Sequence, residues 1–144
     1  MSQRIFAISL AEMERLVDKR GPSLSAWVIS INCPGSKSPL PDNCGNVLVL
    51  HFDDIEGPVE GAEDKFVLFD GALAVRILCF LQQFDGAVLI IHCHAGIARS
   101  GAVAVFAHEL LGTDVAQFWQ DNPGISPNQH VLSVLREVSG LPAS

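Results

Sequence analysis

The stretch Val88-Leu89-Ile90-Ile91-His92-Cys93-His94-Ala95-Gly96-Ile97-Ala98-Arg99-Ser100-Gly101 restricts the fold more than any other part of the chain. Val88 to Ile91 is an uncharged apolar run that reads as a fully buried strand, and it stops abruptly at His92-Cys93. Beyond a turn of small, polar and basic residues, Ala102 to Leu111 has the length and composition of a buried helix. The sequence therefore builds strand, tight loop and helix in succession, with a thiol where the loop begins and a guanidinium where it ends.

That order suits an oxyanion. Backbone N–H groups at a helix N-terminus have no partner within the helix, and together with the helix dipole they attract negative charge. Gly96 lets the loop curl the amides of His94, Ala95, Gly96, Ile97, Ala98 and Arg99 toward one centre. The planar fork of Arg99 grips two phosphate oxygens, which the point charge of a lysine does less well. The same field favours thiolate over thiol at Cys93, and the thiolate is the nucleophilic form of cysteine.

Other chemistries fit the stretch poorly. Gly96-x4-Gly101 lacks the Lys-Ser/Thr pair that a nucleotide P-loop places after its second glycine. His92, Cys93 and His94 alternate along extended chain and so point to opposite faces, and no Cys-x2-Cys or His-Glu-x2-His partner accompanies them. His108-Glu109 has Gly112 where a zincin helix needs its second histidine. No metal site is expected.

His92-Cys93, the intervening residues and Arg99-Ser100 together resemble the HCxxGxxRS signature of the protein tyrosine and dual-specificity phosphatases. The resemblance implies a compact, bacterial-type member of that superfamily with a dual-specificity-phosphatase-like fold and no metal or organic cofactor. It implies that Cys93 is the nucleophile and Arg99 the phosphate clamp. His92 would hold the loop and tune the thiol, and Ser100 would stabilise the thiolate as it leaves the phosphoenzyme. Ala98 is a departure, standing where related Gly-Ile-Ser-Arg-Ser loops carry a hydroxyl.

Around this centre, strands alternate with helices. Ile5 to Ile8 reads as a strand; Ser9 and Glu12 form a capping box for a helix from Leu10 to about Lys19, ended by Gly21-Pro22. Trp27–Ile31 and Val47–Phe52 are further strands, separated by a Pro/Ser/Asn-rich surface loop from Ser36 to Gly45. From Asp64, Phe66, Phe69, Leu73, Ile77, Phe80, Leu81 and Phe84 recur at helical spacing and predict one apolar helix face ending near Asp85-Gly86. Thr113 or Asp114 caps a short helix to about Gln120, and Ser126 is expected as N-cap of the last helix, with Pro127 at its first position. The expected architecture is one α/β domain over residues 1–144, a central, mostly parallel sheet with helices on both faces.

Hydrolysis of a phosphomonoester needs a proton donor for the leaving oxygen, and a carboxylic acid on a mobile loop provides one. Phe52-Asp53-Asp54 resembles the Phe-Asp-Asp of the phosphatases of regenerating liver, which implies Asp54 as the acid and Asp53 as second choice. Asp64 and Asp70 are fallback candidates, and the acidic pair also reads as a plain turn signal. The long separation between Asp54 and Cys93 implies an insertion. Ile125, Pro127 and Asn128 are similar to the family's Ile-x-Pro-Asn segment, whose asparagine braces the phosphate loop; Asn128 reads equally as a local helix-start residue.

Charge and composition narrow the partners. A formal charge of −7 disfavours broad nucleic-acid binding, so phosphate attraction must be local to the loop. No apolar run approaches the ~20 residues of a membrane span, and a soluble, cytoplasmic protein is expected. Cys33, Cys44, Cys79 and Cys93 are expected to be thiols, with Cys79 in the core and a Cys33–Cys44 pair left open. Expected substrates are phosphorylated proteins of the dual-specificity kind or small phosphomonoesters. The chain has no tyrosine to deepen a phosphotyrosine pocket, and Ile97 stands where the resemblance places lysine in phosphoinositide-specific enzymes. A sulfur-transfer or arsenate-reducing enzyme and a phosphate-binding pseudophosphatase are the rival readings.

Overall fold

The computed structural model describes residues 3–141. Four strands, β1 (Arg4–Ile8), β2 (Trp27–Asn32), β3 (Val47–His51) and β4 (Val88–His92), form one sheet in the order β1-β4-β2-β3. Every pairing is parallel, with Ile8 opposite His92, Ser30 opposite His92 and Asn32 opposite His51. All four strands consequently end at the same edge, where the loops after β2, β3 and β4 meet; in open parallel sheets this edge is where ligands bind.

The sheet is covered on both faces. On one, Ile5, Ile29, Ile31, Leu89 and Ile91 pack against α2 (Gly71–Gln83), α3 (Arg99–Leu111) and α5 (Gln129–Ser139). On the other, Val28 and Ile90 pack against Met13 of α1 (Leu10–Arg20) and against Leu40 and Cys44 of the β2–β3 loop. Burial on both faces explains why β2 and β4 read as continuous apolar runs and not as alternating ones. The bidentate pair between Arg136 and Glu109, at 2.6 and 3.0 Å, ties α5 to α3. α4 (Val115–Asp121) is capped by Asp114, whose side chain accepts from the Gln117 amide.

The local signals around α1 hold in detail. Ser9 Oγ accepts from the Glu12 amide at 3.2 Å while Glu12 accepts from the Ser9 amide at 3.1 Å, and Gly21, at φ 52°, ends the helix. Three expectations are corrected. α2 starts at Gly71, not Asp64: Asp70 caps it, accepting from the Leu73 amide at 3.0 Å. The preceding segment is drawn back to the β3 exit, because Asp53 exchanges backbone and side-chain hydrogen bonds with Val67. Phe66 is exposed as a result, whereas Phe69 is buried edge-on against Phe52. Second, Cys79 is exposed, since it lies two residues from Ile77 and so on the opposite side of α2. Third, the N-cap of α5 is Asn128 and not Ser126; the amides of Ser126 and Asn128 donate instead to the carbonyls of Ile97 and Ala98 in the β4–α3 loop.

Candidate active site

The β4–α3 loop places its thiol among donors. Cys93 is 2% exposed; its Sγ lies 3.2 Å from Ser100 Oγ and accepts from the Gly96 amide at 3.2 Å. α3 begins at Arg99 with Ala98 as N-cap, and Ala98 has no side chain to satisfy the first-turn amides. An anion in the loop would supply that missing acceptor. Gly96 has φ +75°, and a Cβ there would stand 2.6 Å from backbone atoms of Ile8 and Ser9. Close backbone approach and positive φ thus both require glycine. Leu10 of α1 donates its amide to the His94 carbonyl at 3.0 Å, so the capping-box turn and the loop are joined.

Arg99 is nearly buried. One Nη donates to the Phe52 carbonyl at 2.8 Å, and both Nη atoms lie 3.7 Å from Cys33 Sγ. The guanidinium is thereby held between the β4–α3 loop and the chain leaving β3. Beside it is a recess of about 120 Å³ whose walls include Cys33, Ser36, Lys37, His92, Cys93 and His94. His94, Ala95 and Ile97 are exposed at the rim. All four cysteines carry free thiols, those of Cys33 and Cys79 exposed.

The two candidate carboxylates differ in what they hold. Asp53 Oδ2 accepts from the Val67 amide at 2.7 Å and the Asp53 amide donates to the Val67 carbonyl at 2.8 Å, which makes it a fastener of the following segment. Asp54 is exposed and its Oδ1 accepts from Asn128 Nδ2 at 2.8 Å. Asn128 also donates to the Ile55 carbonyl at 3.1 Å, accepts from the Val131 amide at 3.0 Å, and donates its own amide to the Ala98 carbonyl at 2.9 Å. Asn128 is thus the helix-start residue of α5, and it also touches two loops. Its carboxamide caps α5 and holds the acidic loop, and its backbone holds the β4–α3 loop. Glu56 adds a second clasp, accepting from the Gln129 amide at 2.9 Å. Asp70 is occupied in capping α2, and Asp64 lies exposed in the turn before it.

His92 bridges the start of the loop and β2. Its Nδ1 is 3.3 Å from the Cys93 carbonyl and its Nε2 2.6 Å from Ser30 Oγ, which in turn is 2.7 Å from Ser38 Oγ and accepts from Asn32 Nδ2 at 3.1 Å. Burial pushes this imidazole below its ordinary pKa; the Cys93 carbonyl opposes the shift and the charge of Arg99 adds to it. Ser30, Asn32 and Ser38 were not singled out from sequence. The available signal was the pair of polar residues within the apolar strand Trp27–Asn32. Among the described residues no three His, Cys, Asp or Glu side chains gather as a metal site, and no helix is long and apolar enough to cross a membrane.

No protein-family model and no curated protein matches the sequence. Solved structures do match the fold over nearly the whole chain. PTPMT1 in complex with PI(5)P superposes at a TM-score of 0.59 with 18% identity, over 95% of this chain and 90% of that one. Human DUSP28 gives 0.55 and 16%, over 94% and 91%. The chain has the fold of the dual-specificity and tyrosine phosphatases. A third structure with this phosphatase fold, the human tyrosine phosphatase-like serine/threonine/tyrosine-interacting protein, matches at 0.55 and 21%, over 93% and 85% of the two chains.

Proposed function

We propose that the protein hydrolyses phosphomonoesters through a cysteinyl-phosphate intermediate. The observation that carries this reading is the thiol of Cys93, set between Ser100 Oγ and the Gly96 amide at a helix start that has no side-chain cap. Cys93 thiolate attacks phosphorus and the P–O bond to the leaving group breaks. The proton of Asp54 goes to the leaving oxygen. Water then attacks the cysteinyl-phosphate, giving its proton to Asp54 carboxylate; the P–S bond breaks to release inorganic phosphate and thiolate. Arg99 and the amides of residues 94–99 stabilise the equatorial oxygens in both steps. Ser100 donates to sulfur as it leaves.

Asp54 is assigned as acid because it is exposed and held only by an amide donor, whereas both hydrogen-bonding elements of Asp53 are tied to Val67. The substrates are phosphorylated proteins of the dual-specificity kind, with small phosphomonoesters next; a phosphoinositide such as the one bound by PTPMT1 belongs in the same turnover panel. Cys93→Ser is expected to abolish hydrolysis of an aryl phosphate while retaining vanadate binding. Retained hydrolysis would overturn the mechanism. A sulfur-transfer or arsenate-reducing enzyme would instead need Cys93 and be indifferent to Asp54→Asn, and a pseudophosphatase would bind phosphate without turnover.

A further inference from the structure

Ser30 is fully buried in a central strand, at the register position opposite His92. An apolar residue there would cost no desolvation, so the hydroxyl must be satisfied to be tolerated. It is satisfied by three partners at once: His92 Nε2, Ser38 Oγ and Asn32 Nδ2. The Asn32 amide is a donor only, which leaves Ser30 a single proton to give. Ser38, half-buried on the β2–β3 loop, accepts from the Leu40 amide at 3.3 Å.

We propose that Ser30 and Ser38 are positioning residues that act on Cys93 through His92. This rests on the reading of Cys93 as the nucleophile. With His92 neutral and its Nδ1–H given to the Cys93 carbonyl, Nε2 must accept, so the Ser30 proton points to His92 and the Ser38 proton to Ser30. Every donor then points the same way, from the β2–β3 loop to the residue that carries the thiol, and each bond polarises the next. The charged and titratable groups around His92 are Arg99 on α3, Cys93 and His94 along the chain, and Cys33 and Lys37 across the recess; α1 presents only Leu10. Of these, Arg99 and burial disfavour a charged imidazole, which keeps the donor direction as described. Without the Ser30 hydroxyl, Nε2 loses its donor and the ring keeps only its Nδ1–H bond to the Cys93 carbonyl, so the imidazole is held at one end instead of two and the start of the loop loosens.

The test uses the full chain without substrate. The pH profile of Cys93 alkylation by iodoacetamide, followed on the Cys93 peptide, and the ¹⁵N shifts of the His92 ring are compared in wild type, Ser30→Ala and Ser38→Ala. Ser30→Ala is expected to move the profile to higher pH, slowing alkylation roughly three- to tenfold near neutral pH, and to shift the ¹⁵N resonance of His92 Nε2 as its hydrogen bond is lost. Ser38→Ala is expected to do the same to a smaller extent. A folded Ser30→Ala with an unchanged alkylation profile would overturn the proposal. If Ser30→Ala does not fold, Ser38→Ala decides alone, and an unchanged profile there overturns it. Alkylation reads the thiol whether or not a phosphate ester is turned over. A shifted profile with no turnover of any ester would leave this proposal standing and defeat the phosphatase reading; turnover with an unshifted profile would do the reverse.

Discussion

Asp53 and Asp54 are adjacent in sequence and opposite in consequence, because one side chain turns back to the Val67 amide and the other meets Asn128. Asp54→Asn is expected to flatten the acid-dependent limb of the pH–rate profile, with a loss of roughly 10²–10⁴ in turnover of substrates with poor leaving groups. Asp53→Asn is expected to cost stability and leave that limb in place; the opposite pattern in the two profiles would exchange the assignments. Gly96 is as demanding as Cys93 in its own way. Gly96→Ala puts a methyl 2.6 Å from the Ile8 and Ser9 backbone, so loss of more than about 1 kcal/mol of stability and of Cys93 reactivity is expected in denaturation and alkylation experiments.

Among the elements, the start of α5 does the most joining. Through Asn128 it touches the acidic loop, the β4–α3 loop and its own first turn. Asn128→Ala removes the cap, which by itself costs about 0.5–2 kcal/mol. It also frees Asp54 and Ile55, so kcat is expected to fall more than KM rises, and a variant with wild-type kcat would show that the acidic loop holds itself. α1 joins the loop from the other side through the Leu10 amide and the Ser9–Glu12 box. The β2–β3 loop is anchored by His51, whose Nε2 is 2.8 Å from the Ser36 carbonyl.

Across the whole molecule, two buried imidazoles link stability to pH. His92 is held below its ordinary pKa as described, and His108 is lowered by burial with partial opposition from Asp114. His108 Nδ1 meets Thr113 Oγ1 at 2.6 Å, while its Nε2 is buried without a partner among the described residues. Both groups resist protonation in the folded state. The unfolded chain therefore takes up more protons as pH falls below about 6.5, and stability contributed above that value is lost on acidification. The denaturation midpoint is expected to fall from pH 7.5 to about pH 5.5, and His108→Gln to make that fall shallower. An equal slope in the variant would show that His108 does not titrate on unfolding.

The strand, loop and helix around Cys93 were legible because their signals are local: an apolar run, a glycine at a sharp turn and a helical apolar stretch are each set by neighbouring residues. The same holds for the capping box of α1 and for the alternation that predicts a parallel sheet with helices on both faces. The start of α2 is not legible in the sequence for a non-local reason, since the Asp53–Val67 bonds hold residues with helical spacing out of the helix. The exposure of Cys79 is not legible either, because composition states that a helix is apolar without stating which side faces the sheet. The sequence by itself determined which residues have the chemistry for an oxyanion: Cys93, Arg99, Ser100 and the small residues between them. Only the tertiary structure decided what each aspartate meets, what Asn128 holds and where His92 sends its second nitrogen. Those depend on hydrogen bonds between residues far apart in the chain, Asp54 to Asn128 and Ser30 to His92, which no spacing within a segment encodes.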